Sequence, residues 1–420
     1  FGFFPSAGVG YIISNEAFWG INKDIVNKLK FKATYGMVGN DQIGEPTDRF
    51  FYLSNVNLNN GDKGYSWGTN FDYNVTGVST SRYADPFITW ETSYKQNYGF
   101  ELGLFNKIEL QGDFFIERRK KILQNRASIP TTMGLQSAPQ ANIGETKGSG
   151  FELSLDYNEV INKDFWITAR GNFTYAKAKY VVFEEPNYFD SPWRRITGSQ
   201  LGQGRGLIAE RLFVDDEDVR NSPRQDFGAY TAGDIKYKDI NNDGIINAKD
   251  VVPIGYPTSP EIIYGLGFSI GYKSFDFSSF FQGSARSSFW IDTTGDDHIS
   301  PFGGERALLK VIADDHWSET DRNIRAFWPR LSVGGMSNNN QRSTWFMRDG
   351  SFLRWKSAEL GYTLPKDISR KARVEVARLY LSATNLLCFS KFKLWDPEMA
   401  GNGLGYPLQR VINIGINLTF

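Results

Sequence analysis

The final nine residues alternate without a break. Ile412, Ile414, Ile416, Leu418 and Phe420 fall on one side of an extended chain, and Asn413, Gly415, Asn417 and Thr419 on the other. Strand side chains change face at every residue, so this segment predicts a two-faced strand. The period recurs upstream. Over 165–176, Phe165, Ile167, Ala169, Gly171, Phe173 and Tyr175 share one face, while Trp166, Thr168, Arg170, Asn172 and Thr174 share the other. Over 108–117, Ile108, Leu110, Phe114 and Ile116 oppose Glu109, Gln111, Asp113 and Glu117. An apolar face backed by a charged one is what an outer-membrane β-barrel wall requires, with lipid outside and water inside. For the final segment, the edge strand of a soluble sandwich is the alternative, although soluble sheets usually protect such an edge.

The same reading predicts about 13 strands. They lie near 5–14, 28–38, 49–57, 70–78, 90–105, 107–122, 145–157, 164–182, 260–272, 275–288, 345–364, 378–388 and 409–420. Bacterial barrels have short periplasmic turns and long outer loops. Segments 123–144, 183–259, 289–344 and 389–408 are therefore expected outside the cell. Asn106, 158–163, Lys273–Ser274 and 365–377 are expected in the periplasm. A barrel with both ends in the periplasm has an even number of strands. An odd count that starts on a descending strand predicts that 1–420 is the C-terminal part of a larger barrel.

Composition agrees. The chain has 33 Phe, 20 Tyr and 11 Trp, 15% aromatic in all, yet its mean hydropathy is −0.40. No apolar run approaches the roughly 18 residues that a membrane helix needs. A membrane chain without such helices must close its sheet, because lipid satisfies no backbone group. Basic and acidic residues balance at 47 each, which leaves no electrostatic case for nucleic acid. The lone Cys388 excludes an intrachain disulfide and Cys-based metal or redox motifs.

One stretch carries ion-binding chemistry. From Asp239, oxygen-bearing residues recur at the first, third, fifth, ninth and twelfth positions: Asp239, Asn241, Asp243, Asn247 and Asp250. Gly244 stands at the sixth, Ile245 at the seventh and Ile246 at the eighth, as in an EF-hand-type calcium loop. The Ile245 carbonyl is the expected backbone ligand and Ile246 the anchor into a core. Asp250 is shorter than the usual Glu. An Asx-rich turn without an ion is the alternative. A static Ca²⁺ suits a loop expected outside the cell.

Catalytic candidates are weak. His298 and His316 are the only histidines and fall in an expected outer loop. Asp315 beside His316 does not build a relay, because sequence neighbours do not orient one another. Glu184–Glu185 and the acidic run 215–218 read as solvated loop rather than glycosidase carboxylates. LGQGRG at 201–206 lacks the Lys-Ser/Thr of a phosphate loop. Arg118-Arg119-Lys120-Lys121 ends an ascending strand, where it meets lipopolysaccharide phosphates or only solvent. Trp67, Trp193, Trp290, Trp317 and Trp328 are candidates to stack on sugar rings, or else to pack loops and girdles.

Several stretches together carry a resemblance: FFPSAGVGYIISNE near the start, NIGETKGSGFELSLDY at 142–157, GDIKYKDINNDGIINAKDVVPIGYPTSPEIIYGLGFSIGYKSFDFSSFFQGS at 233–284, RDGSFLRWKSAELGYTLP at 348–365 and LYLSATNLLCFSKFKLWDPEMAGNGLGYPLQR at 379–410. With them the chain resembles the C-terminal half of SusC-like TonB-dependent transporters. The resemblance implies a 22-stranded barrel around an N-terminal plug, a SusD-like lipoprotein lid, and TonB acting through a box near the plug. It implies import of a large nutrient, a glycan or an oligopeptide. Plug and TonB box match no residue of this chain. A passive porin or structural barrel, and a soluble calcium-stabilised carbohydrate-binding protein, are the alternatives. Long loops favour import over a porin; no enzyme activity is expected.

Overall fold

The computed structural model describes residues 2–42, 50–293, 299–302, 308–371 and 373–420. An 11-stranded antiparallel sheet follows the order of the chain. Its strands are β1 (Ser6–Ile12), β2 (Val26–Asn40), β3 (Glu91–Leu104), β4 (Ile108–Asn125), β5 (Gln140–Asn162), β6 (Phe165–Val182), β7 (Ile262–Tyr272), β8 (Phe275–Ala285), β9 (Phe352–Thr363), β10 (Val376–Ser390) and β11 (Val411–Thr419).

Two of the expected strands do not join this wall. Asn55–Trp67 and Tyr73–Arg82 pair only with each other, as a hairpin in the connection between β2 and β3. The reason is visible at 55–64, Asn-Val-Asn-Leu-Asn-Asn-Gly-Asp-Lys-Gly, where neither face stays apolar. A lipid-facing strand needs an unbroken apolar face. The wall count falls to 11 and stays odd. The expected strand 345–364 also divides: Met347–Asp349 pairs with Ser288–Trp290 outside the wall, and only Phe352–Thr363 enters it.

The register carries the alternation across the sheet. Ile414 pairs with Leu381, and the row continues through Leu360, Phe277 and Ile270 to Ile167. A second row runs Phe31, Phe100, Gly112, Leu153 and Phe173. The ring of Phe100 occupies the space a Cβ on Gly112 would need. This face is exposed in the isolated chain, as at Leu381, Leu360 and Ile414. The opposite face carries the charged positions expected of a lumen.

Both rims are ordered by chemistry. Backbone bonds join successive short turns: Phe105 donates to Ile25, Asn158 to Lys107, Lys273 to Asp164 and Thr363 to Ser274, at 2.7–2.9 Å. All the short connections therefore lie side by side at one rim, and the long connections leave from the other. Phe105 and Asn106 turn with φ of 56° and 54°. Among the described residues, β1 pairs only with β2 and β11 only with β10. The final strand takes the expected partner, from Val376 opposite Thr419 to Thr384 opposite Val411.

The wall holds little of the buried apolar core. That core lies in the two long connections beyond the wall, 183–261 and 286–351, joined by Phe392.

Candidate functional site

The polar face of the wall is laced by cross-strand ion pairs. Lys28 reaches Glu101 at 2.7 Å and Glu109 at 3.0 Å; Lys30 reaches Glu101 at 2.9 Å; Lys32 reaches Asp113 at 3.0 Å. Strand period puts these residues on one face, and register brings them together. Toward the other edge, Arg378 binds Asp276 and Glu359. Arg354, only 3% exposed, is clasped by Asp396 at 2.6 Å and Glu398 at 2.7 Å. This cluster pins connection 391–410 to the polar face. Such a surface is wettable and offers hydrogen bonds to a polar solute.

Over the long-loop rim, connections 183–261 and 286–351 fold as one cap. Leu207, Leu212, Ile235, Ile246, Trp317 and Trp328 are at most 4% exposed and pack in one cluster. A buried polar seam ties the two halves. Gln225 donates to the Ile235 carbonyl (3.0 Å) and to Asn338 Oδ1 (2.7 Å); Asn339 Oδ1 accepts from the Ile235 amide (2.9 Å). Asp234 accepts from Arg330 at 3.1 Å and from Asn339 at 2.9 Å. Buried polar groups are costly unless satisfied, and fully satisfied networks specify one arrangement.

The cap changes the reading of the tryptophans. Trp317 and Trp328 are core residues at 4% and 0% exposure, so neither presents a ring to a ligand. Trp290 is half-buried under the Arg342 guanidinium, 4.4 Å from its ring centroid. Trp193 donates to the Lys249 carbonyl at 2.7 Å. Of these five, only Trp67 stays open, beside Tyr65 on the separate hairpin.

Glu184, Glu185 and Asp218 are anchors, whereas Asp216 and Glu217 face solvent as expected. Glu184 accepts from Arg126 and from the Ser128 amide. Glu185 accepts from the Ile196 and Thr197 amides at 2.7 and 2.9 Å. Burial pushes the Glu185 carboxyl up, but those amides outweigh it and hold it below its ordinary value. Asp218 accepts from Arg211 at 2.9 Å and lies 3.1 Å from Lys236. Arg211 foremost holds its carboxyl far below the usual range. His316 is half-buried, with Nδ1 2.9 Å from the Ala313 carbonyl. Asp315 accepts from the Phe327 amide rather than orienting that ring. His298 lies outside the described residues. Gly204 and Gly206 of the 201–206 stretch allow close approach of Trp290 and the Arg342 carbonyl, which is a packing role.

The 239–250 loop is folded as a stack of Asx turns. Asp239 accepts from the Asn242 and Gly244 amides at 2.7 and 2.9 Å. Asn241 donates to Asp243 (2.8 Å), and Asp243 accepts from the Ile245 amide (2.9 Å). Those two contacts hold the Asp243 carboxyl below its ordinary value. Asn247 caps the turn at Lys249. Asp250 is buried and accepts from the Ile240 and Asn247 amides at 2.8 Å. Gly244 takes φ +81°, and Ile246 enters the core at 1% exposure. Among the described residues, no three His, Cys, Asp or Glu side chains form a metal-holding group.

Residues 1–386 match the family model described as TonB dependent receptor-like, beta-barrel. Over its whole length the chain is 28% identical to TonB-dependent receptor P26 of Formosa agariphila, of which it covers 42%. It is 24% identical to TonB-dependent receptor SusC of Bacteroides thetaiotaomicron, of which it covers 40%. The chain thus spans about two-fifths of the length of the curated relatives it matches. The solved structure of the RagAB peptide transporter superposes with a TM-score of 0.72 at 23% identity, over 99% of this chain and 43% of that one. The matched family is one of outer-membrane β-barrel receptors, which overturns the soluble carbohydrate-binding alternative. With most of its length matched, this chain belongs to the TonB-dependent receptor β-barrel family, in the outer membrane.

Proposed function

We propose that the protein containing this chain actively imports a large nutrient, an oligopeptide or a glycan, across the outer membrane. In this reading a SusD-like lipoprotein lid docks on the cap. A plug and further strands, to a total of 22, complete the barrel, and TonB supplies the energy. The observation that carries it is the cap. Two long connections share one apolar core and a satisfied polar seam above a wettable wall. A rigid rim of this kind suits docking and solute capture better than a porin's simple opening. Uptake of labelled oligopeptides and glycans by cells with and without TonB tests it. Uptake that needs TonB supports import; uptake that persists unchanged without TonB establishes the passive pore instead.

A calcium ion on the 239–250 loop is a second proposal. Asp239, Asn241, Asp243, the Ile245 carbonyl, Asn247 and Asp250 would supply its oxygens. In its favour, the left-handed Asn242 and Gly244 and the buried Ile246 already shape the loop backbone. Terbium luminescence on the full-length protein, compared with Asp243→Ala, reads it. No terbium binding by the unaltered protein overturns it.

A further inference from the structure

The run Arg118-Arg119-Lys120-Lys121 is one basic block in sequence, but the wall divides it. Arg119 turns to the polar face, 2.9 Å from Glu117 and 3.7 Å from Glu91. Arg118 and Lys120 share the parity of Phe114 and Ile116 and turn to the lipid face. Register sets them beside the cations of the next two strands. Arg118 lies opposite Lys147, and Lys147 opposite Lys179; Lys177 lies opposite Ser149. Five cations from three strands therefore share the lipid face at the long-loop rim. Glu145 is bound to Arg118. Lys147, Lys177 and Lys179 are exposed and carry no ion pair among the described residues.

Their height follows from the strand. On β6, the outward positions from Phe165 to Tyr175 are ten residue steps apart, roughly 33 Å along the strand. At a tilt of about 40° that is a rise of about 25 Å, the height of a barrel's apolar band. Lys177 and Lys179 then stand about 5 and 10 Å beyond the band, at headgroup level. Directly below them runs a row of Tyr98, Phe114, Phe151 and Tyr175, in the place of an interfacial girdle. Like charges directly opposite on neighbouring strands repel. The Lys147–Lys179 pair is therefore unfavourable until an anion lies between them.

We propose that this patch binds the phosphorylated headgroup of an outer-leaflet glycolipid. Lysines supply point charges to phosphate, and Arg118 adds a directional donor. The proposal rests on the membrane placement of the wall and not on what the barrel carries.

The test uses the full-length protein in nanodiscs containing lipid A, with lipid retained per protein read by native mass spectrometry. The variant is Lys147→Gln/Lys177→Gln/Lys179→Gln. A lysine near a charged bilayer surface is worth roughly fivefold in binding, so the triple variant is expected to lose about a hundredfold. The unaltered protein should favour phosphorylated over dephosphorylated lipid A, and inorganic phosphate should not displace the lipid. Equal retention by variant and parent, or equal retention of dephosphorylated lipid A, overturns the proposal. Ready displacement by inorganic phosphate also overturns it, in favour of a free-anion site. Should the Gln variant not insert, Lys147→Arg/Lys177→Arg/Lys179→Arg decides: it must keep the lipid, and its loss overturns the assignment.

Discussion

Replacing Trp328 by alanine tests whether the two long connections fold as one unit. The side chain is fully buried. Its ring lies 4.9 Å from Phe327 and 5.8 Å from Phe346, and its indole N–H donates to the Val311 carbonyl at 2.9 Å. Truncating a buried Trp costs about 3–5 kcal/mol. At about 1.4 kcal/mol per factor of ten, the open cap becomes roughly two to nearly four orders of magnitude more populated. Proteolysis follows that population when reclosing is fast. Limited proteolysis of the full-length protein in its membrane should show faster cleavage within 183–261 and 286–351. Heat-modifiable migration, which reports the closed barrel, should not change, because Trp328 belongs to the cap core and not to the wall. Val333→Ala, at a site 97% exposed, is the control and should cleave like the parent. Unchanged cleavage in Trp328→Ala, or barrel and cap lost together, refutes the reasoning.

Three further outcomes follow from the same structure. Because Arg211 and Lys236 depress the Asp218 carboxyl, its folded value lies below the unfolded one. Its contribution is then complete above about pH 4 and is lost as pH falls further; Asp218→Asn should remove this acid-dependent step in cap proteolysis. Arg354→Ala leaves Asp396 and Glu398 without their shared cation, at a cost on the order of 3 kcal/mol, and hydrogen exchange should rise across 391–410 while the strand amides of β6 stay protected. Residues 1–420 expressed alone should aggregate or be degraded, since among the described residues β1 and β11 each keep an unpaired edge and each unpaired backbone group in lipid costs several kcal/mol; a heat-modifiable barrel from this fragment would contradict the topology.

The wall was legible because its physics is local. Alternation at 165–176 and 411–419 needs only the chain itself, and register then extends it. The hairpin of Asn55–Trp67 and Tyr73–Arg82 reads as two wall strands because its length and turn signals resemble theirs, while only the missing apolar face tells them apart. The cap was legible as long connections but not as a folded unit. Trp328 meets Val311 and Phe346, and Asp234 meets Arg330 and Asn339 about a hundred residues away. No period marks such contacts, so Trp317 and Trp328 read as possible ligand platforms. Glu184 and Glu185 read as solvent-facing for the same reason: the Ser128 amide that binds Glu184 lies in the connection between β4 and β5, and the Ile196 and Thr197 amides that bind Glu185 lie on another turn of its own loop. The lipid-face lysines became a patch only when register set Lys147 against Lys179.

We propose that the wall crosses the outer membrane with the cap outside the cell and the short turns in the periplasm. Single cysteines at Val333 in the cap and Ile368 in a short turn, both exposed, test it in a full-length protein lacking Cys388. Intact cells are treated with a membrane-impermeant maleimide. Position 333 should be labelled on intact cells, and position 368 only after the outer membrane is opened. Labelling at 368 with protection at 333 would contradict it.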